Sequence, residues 1–182
     1  MSTPTPVFPL RLAFSRDDRG AAAIEFAAVA MILVTILGNA VDFGVYEYRT
    51  MQVQEAAQVG AQSAWSVCNS PDKLPATQNC SGLNAAVTTA IQSTSLGTRA
   101  ALATGYPAEG YYCVNASGML QSVGSLSSKP SDCSAAGNAN ASPGDYVQIE
   151  ATTAYSPIFP GFSVVGLWGA SSISATSWMR LE

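Results

Sequence analysis

The sequence predicts an α+β protein with a long N-terminal helix, a second helix and a small antiparallel sheet. Three observations carry that prediction. From Ala21 to Val41 the chain is apolar, with Glu25 its one charge. Residues 42–66 contain no proline and are rich in Ala, Gln, Glu and Val, all compatible with helix. Beyond residue 110, apolar residues recur at alternate positions in several short runs, the period of a half-buried strand.

The first element is long enough to cross a bilayer. As helix, residues 21–41 extend ~31 Å against a hydrocarbon core of ~30 Å. Residues 1–20 precede it as a polar leader with Arg11, Arg16 and Arg19, partly offset by Asp17 and Asp18. After it, Arg49 stands against Asp42, Glu47 and Glu55. That bias places the N-terminus in the cytoplasm and residues 42–182 outside it as a head domain. No later stretch is long and apolar enough to span, so the expectation is a single-pass protein in contact with membrane lipid. Asp42, Glu47 and Glu55 read as solvated charges just beyond the membrane, and Tyr46 and Tyr48 as interfacial aromatics. Two other readings of this region exist. One is an uncleaved anchor. The other is a secretory signal ending at Gly38-Asn39-Ala40, whose small residues suit a signal peptidase. Against the signal stand the long leader, the charge at Glu25, and an apolar run longer than the usual ~7–15 residues.

The helix is expected to continue to about Val67. Val53, Ala57, Gly60, Ala61 and Ala64 recur at helical spacing. Ala56, Gly60 and Ala64 form a small-residue row that lets another element approach the backbone. That row fits either a helix lying on its own sheet or a packing face between subunits. Pro71 and Pro75 end the helix. Ser81 is a candidate cap for a second helix from about Leu83 to Leu96, with Ala86, Val87, Ala90 and Ile91 as its apolar stripe and Gly97 at its end. Strands are expected at Tyr111–Ala116 and Met119–Val123 around a Ser117-Gly118 turn. A loop follows from Ser125 to Pro143. A third strand at Tyr146–Tyr155 carries Val147, Ile149, Ala151 and Tyr155 on one face. After a turn-rich break from Pro157 to Gly161, Ile173, Ala175, Met179 and Leu181 alternate to the C-terminus. Trp65, Trp168 and Trp178 read as core or sheet-packing residues.

Composition narrows the function. The 182 residues allow one ordinary domain plus an anchor. Charged residues make up 11% and net charge is −4, with no basic patch, so nucleic acid is not an expected partner. The chain has no histidine, which removes the commonest general base and metal ligand. Serine is plentiful, but no G-x-S-x-G occurs, and Lys73 and Lys129, the partners a Ser/Lys dyad would need, lie in loop-like segments beside prolines. No cofactor or catalytic residue is expected. The four cysteines, Cys68, Cys80, Cys113 and Cys133, all follow the span and read as disulfides of an exported domain. Three pairings are possible. Cys68–Cys80 and Cys113–Cys133 are favoured because each pair brackets a loop rich in Pro, Ser and Asn. A zinc site is disfavoured, since no C-x-x-C and no histidine is present.

A glycine directly before the span and a Glu five residues after it are rare together. The chain resembles type IV pilin-like precursors and, more closely, the TadE-like proteins, minor pseudopilins of the tight-adherence (Flp) pilus system. The residues that carry the resemblance are Arg19-Gly20, Ile24-Glu25-Phe26, Val41-Asp42-Phe43-Gly44 and the Ala/Gln-rich helix to residue 66. At the other end, Tyr146-Val147-Gln148-Ile149, Pro157, Pro160-Gly161-Phe162, Ser174-Ala175-Thr176 and Met179-Arg180-Leu181-Glu182 look like the family's last two strands. Residues 67–144 carry no resemblance. The family implies a pilin-like fold and an assembly role. Gly20 would precede the cut of a prepilin peptidase, Ala21 would become the mature N-terminus, and Glu25 would meet the α-amine of a neighbouring subunit. The implied partners are that peptidase, other pilins or pseudopilins and the pilus assembly machinery. The implied location is the bacterial cytoplasmic membrane, and the pilus or cell surface after processing. In that setting the sequons at Asn79, Asn115 and Asn140 are chance matches.

Overall fold

The computed structural model describes residues 18–182. Leader residues 1–17, including Arg11, Arg16 and Asp17, lie outside the described residues. Helix α1 runs unbroken from Asp18 to Cys68, 51 residues or ~77 Å. From Gly20 to Leu37 it is exposed almost throughout. Its second half acquires a buried face through Val53, Ala56, Ala57, Ala61, Ala64 and Cys68. A 3₁₀ turn at Pro71–Lys73 follows, then the short helix α2 (Ala76–Asn79) and helix α3 (Leu83–Gln92).

Two helix boundaries differ from expectation. Gly82, not Ser81, is the N-cap of α3, and no side chain bonds there. The helix also stops at Gln92, short of Leu96. The hydroxyls of Ser93 and Thr94 donate back to the carbonyls of Ala90 (2.7 Å) and Ile91 (2.8 Å), offering the backbone an alternative to another turn. Gly97 lies in the next 3₁₀ turn, Gly97–Arg99, at a φ of 58°.

The sheet comprises β1 (Ala100–Leu102), β2 (Ala108–Val114), β3 (Leu120–Gly124), β4 (Gly144–Ala154) and β5 (Ser172–Arg180). A short helix, α4 (Val164–Leu167), sits between β4 and β5. β1 and α4 have no counterpart in the sequence reading. All pairings are antiparallel, and β4 is central. β5 follows one edge of it from Tyr146 to Ala154. The other edge is shared: β2 pairs with Gly144–Gln148 and β1 with Ala151–Thr153. β3 flanks β2 across a hairpin in which the Asn115 side-chain oxygen accepts from the Ser117 and Met119 amides, at 3.0 and 3.1 Å.

Alternation along β4 sets the layers. Val147, Ile149 and Ala151 are fully buried and, with Ile173 of β5, meet α1 and α3. The row Ala56, Gly60, Ala64 faces this core. A Cβ built on Gly60 would sit 3.1 Å from Ile149 Cγ2 and 3.1 Å from Ile91 Cγ1. The row is therefore buried within the subunit, on its own sheet and second helix.

On the opposite face of the sheet, the Tyr112 ring meets Trp178 and Tyr146 edge-on, at 5.0 and 6.0 Å between centroids. Trp178 thus packs on the sheet as expected. Trp168 does not: it is 72% exposed, at the C-terminal end of α4. Trp65 also stands partly in solvent, on the outward side of α1.

Cys68–Cys80 and Cys113–Cys133 are the two disulfides, the pairing the loop compositions favour. The first staples the end of α1 to the end of α2. The second holds the segment after β3 against β2, around a satellite core of Cys113, Cys133 and Ala136.

Candidate functional site

The anchor half of α1 presents a long, uncovered apolar surface. Ile24 and Phe26 are 73% and 75% exposed, and Met31, Val34 and Leu37 continue the surface. Among the described residues, this is the one helix long and apolar enough to cross a membrane, and none of its most apolar window is covered by the head. Its internal polar side chains turn back on the helix. Thr35 Oγ1 donates to the Met31 carbonyl at 2.8 Å, and Asn39 Nδ2 donates to the Thr35 carbonyl at 2.9 Å. Gly20 and Ala21 lie exposed at the start of this helix, and a Cβ on Gly20 would meet nothing within 4 Å. Glu25 is exposed just over one turn further on, with no hydrogen bond or ion pair among the described residues.

At the outer end of the anchor the reading of Asp42 is corrected. It is not a solvated charge but fully buried. Its Oδ1 accepts from the Ile158 amide at 2.8 Å and lies 3.5 Å from the Tyr155 hydroxyl. Tyr46 is corrected with it, since its ring packs edge-on against Tyr155 at 5.2 Å instead of facing an aromatic belt. These partners come from the segment between β4 and β5, more than 100 residues away in sequence. Just below, Asn39 Oδ1 accepts from the Val164 amide at 2.7 Å, and the Phe159 ring lies over Gly38. The loop and the anchor enclose an apolar notch of about 650 Å³ lined by Ala30, Val34, Gly38, Phe159 and Phe162.

Within the head, Glu109 and Asp145 form a second polar feature that the sequence reading does not single out. The Glu109 carboxylate accepts from the Ala76 amide (2.5 Å), the Thr77 amide (2.7 Å) and the Thr77 hydroxyl (2.5 Å). It thereby ties β2 to the start of α2. Asp145 is buried, and neither of its oxygens has a hydrogen-bond partner among the described residues. Burial, followed by the nearby Glu109 charge, pushes its carboxyl up to about 7, against the opposing pull of Lys129. Asp145 lies just ahead of the alternating run that begins at Tyr146, yet it belongs to the inward face of β4.

An exposed apolar helix continuous with a disulfide-bonded α+β head is the architecture of a single-pass, membrane-anchored protein. A family model described as TadE-like protein matches residues 20–62, the anchor and much of the helix beyond it. The match agrees with the resemblance carried by Gly20, Glu25 and Val41-Asp42-Phe43-Gly44, and it does not extend to residues 145–182. Together with the long apolar helix, it fits a membrane protein associated with a Tad pilus. No curated protein and no solved structure matches the chain.

Proposed function

We propose that the protein is a minor pilin-like subunit, a pseudopilin, for assembly of a Tad/Flp-type pilus. Its leader faces the cytoplasm, its anchor crosses the cytoplasmic membrane, and its head lies outside. A prepilin peptidase cuts between Gly20 and Ala21, and other pilins or pseudopilins then take up the anchor helix. Its work is assembly and not catalysis.

The observation that carries this reading is Glu25, a carboxylate without a partner among the described residues on an otherwise apolar, uncovered helix. An acidic side chain in a span costs ~2.5–3.5 kcal/mol at the bilayer centre on insertion scales. Loss of that charge would make the anchor easier to insert, so its benefit lies with a partner. The α-amine of a processed neighbour supplies opposite charge at the same depth. In low dielectric that pair is much stronger than a surface ion pair.

Intact mass of membrane-extracted protein tests the reading. A start at Ala21 is expected, and Gly20→Ala should block it. Glu25→Ala should leave membrane level and protease resistance of the head unchanged while impairing pilus assembly. Normal pili in that strain would refute the intersubunit role. A second reading, an uncleaved anchored binding module of the cell envelope, draws on the satellite around Cys113–Cys133, which packs apart from the main core. A chain that retains its leader at full pilus output would favour it.

A further inference from the structure

We propose that residues 156–171 form a second membrane-contacting element, seated in the headgroup–acyl boundary of the leaflet beside the head. The proposal rests on α1 crossing a bilayer and is independent of processing at Gly20.

Composition comes first. Ser156 to Ser171 contains no charged residue. Ile158, Phe159, Phe162, Val164, Leu167 and Trp168 all expose large apolar side chains, Leu167 to 78% and Trp168 to 72%. A contiguous patch of that kind marks an interaction surface on a folded protein.

Position then selects the occupant. Asp42 Oδ1 holds the Ile158 amide at 2.8 Å, and Asn39 Oδ1 holds the Val164 amide at 2.7 Å. The loop is thus tied to α1 at two levels, with Phe159 over Gly38 on the anchor side of both. Gly38 lies ~5 Å inside the end of the apolar run at Val41. Interfacial elements bury their apolar faces ~5–10 Å into this boundary. A bilayer that covers α1 up to Val41 therefore meets the loop as well. A second copy of the chain would need an added surface to cover these side chains, whereas lipid already surrounds the helix to which the loop is bonded.

Backbone chemistry agrees. Amides that enter the hydrocarbon edge of that boundary need internal partners. The Phe162 and Ser163 amides both donate to the Phe159 carbonyl, at 3.2 and 3.1 Å. The Leu167, Trp168 and Gly169 amides donate to the carbonyls of Ser163, Val164 and Gly166, at 3.0–3.1 Å. The Ser163 hydroxyl accepts from the Gly166 amide at 3.2 Å. The segment that carries the apolar side chains is thus largely self-satisfied, and Trp and Phe are residues that favour the interface.

The test uses the full chain in phosphatidylethanolamine–phosphatidylglycerol vesicles. Trp65→Phe with Trp178→Phe leaves Trp168 as the only tryptophan, and both replacements keep an aromatic ring. Emission from Trp168 should shift to the blue, be quenched by lipids brominated near the headgroup end of the acyl chain, and resist iodide. In the complementary single variant, Trp168→Phe, which alters an exposed ring, lipid quenching of the remaining tryptophans should be lost. Quenching by iodide and not by brominated lipid would overturn the proposal. Protection from both quenchers that disappears as protein is diluted in lipid would also overturn it, in favour of a second copy. Failure of the chain to float with vesicles would remove the anchor itself, an outcome distinct from a floating chain whose Trp168 faces water.

Discussion

Asp145→Asn removes a buried carboxyl whose ionisation the fold opposes. The acid is raised from its ordinary 3.8 to about 7, chiefly by burial and then by Glu109. A raised folded pKa means that the native state holds the proton more tightly than the unfolded chain. The stabilising contribution is therefore complete below 3.8 and is lost as pH climbs to about 7. The gap sets an upper bound of about 4 kcal/mol, shared with the interaction with Glu109 and still a large share of the stability of an ordinary domain. Asparagine is close in shape and never ionises. Its stability advantage over wild type should grow by up to about 4 kcal/mol between about pH 4 and about pH 8, then level off. Urea unfolding of detergent-solubilised protein, with disulfides intact and Trp emission as the signal, measures this. Every other titrating group is present in both proteins, so their difference reports residue 145 together with Glu109, whose charge acts on it. A difference that stays flat with pH would refute the argument that burial holds the proton. A growth of a few tenths of a kcal/mol would mean that water reaches the site as strand β4 breathes.

Two further substitutions probe how the head is assembled. Gly60→Leu forces a branched side chain into the contact where a Cβ alone meets Ile149 and Ile91 at 3.1 Å. It should destabilise the head by about 1–3 kcal/mol or more, read as a lower urea midpoint, with membrane insertion unchanged. Glu109→Ala strips the amides of Ala76 and Thr77 of their acceptor. It should cost about 1–3 kcal/mol and speed hydrogen exchange at those two amides while the β4–β5 ladder remains protected.

The parts legible in the sequence are those set by local period and composition. Apolar length gives the anchor, alternation gives β4 with Val147, Ile149 and Ala151 inward, and loop composition favours the two disulfides. What was hidden depends on contacts distant in sequence. Asp42 looks like a solvated charge because nothing near it suggests that Tyr155 and Ile158 will cover it. β1 is three residues of Ala-Ala-Leu with no alternation to detect, and it exists because β4 has a free edge there. Ser93 and Thr94 carry a local signal for the shorter second helix, since both compete with helix through backward bonds. The uncharged run around Ile158–Trp168 is visible in the sequence, but only its contacts with α1 set its position beside the anchor.

The continuity of α1 has a mechanical consequence. Between Glu25, in the anchor, and Val53, in the main core, lie ~42 Å of helix with no proline. The anchor therefore has no flexible tether, and the same rod that enters the bilayer is one wall of the head. Force applied at the anchor reaches Ile149 and Ile91 through Gly60. A machine that draws the helix out of the membrane must move the head with it as one stiff body. A protease that trims the rod just above the membrane would remove Asp42 and its hold on the Ile158 loop before it released anything soluble.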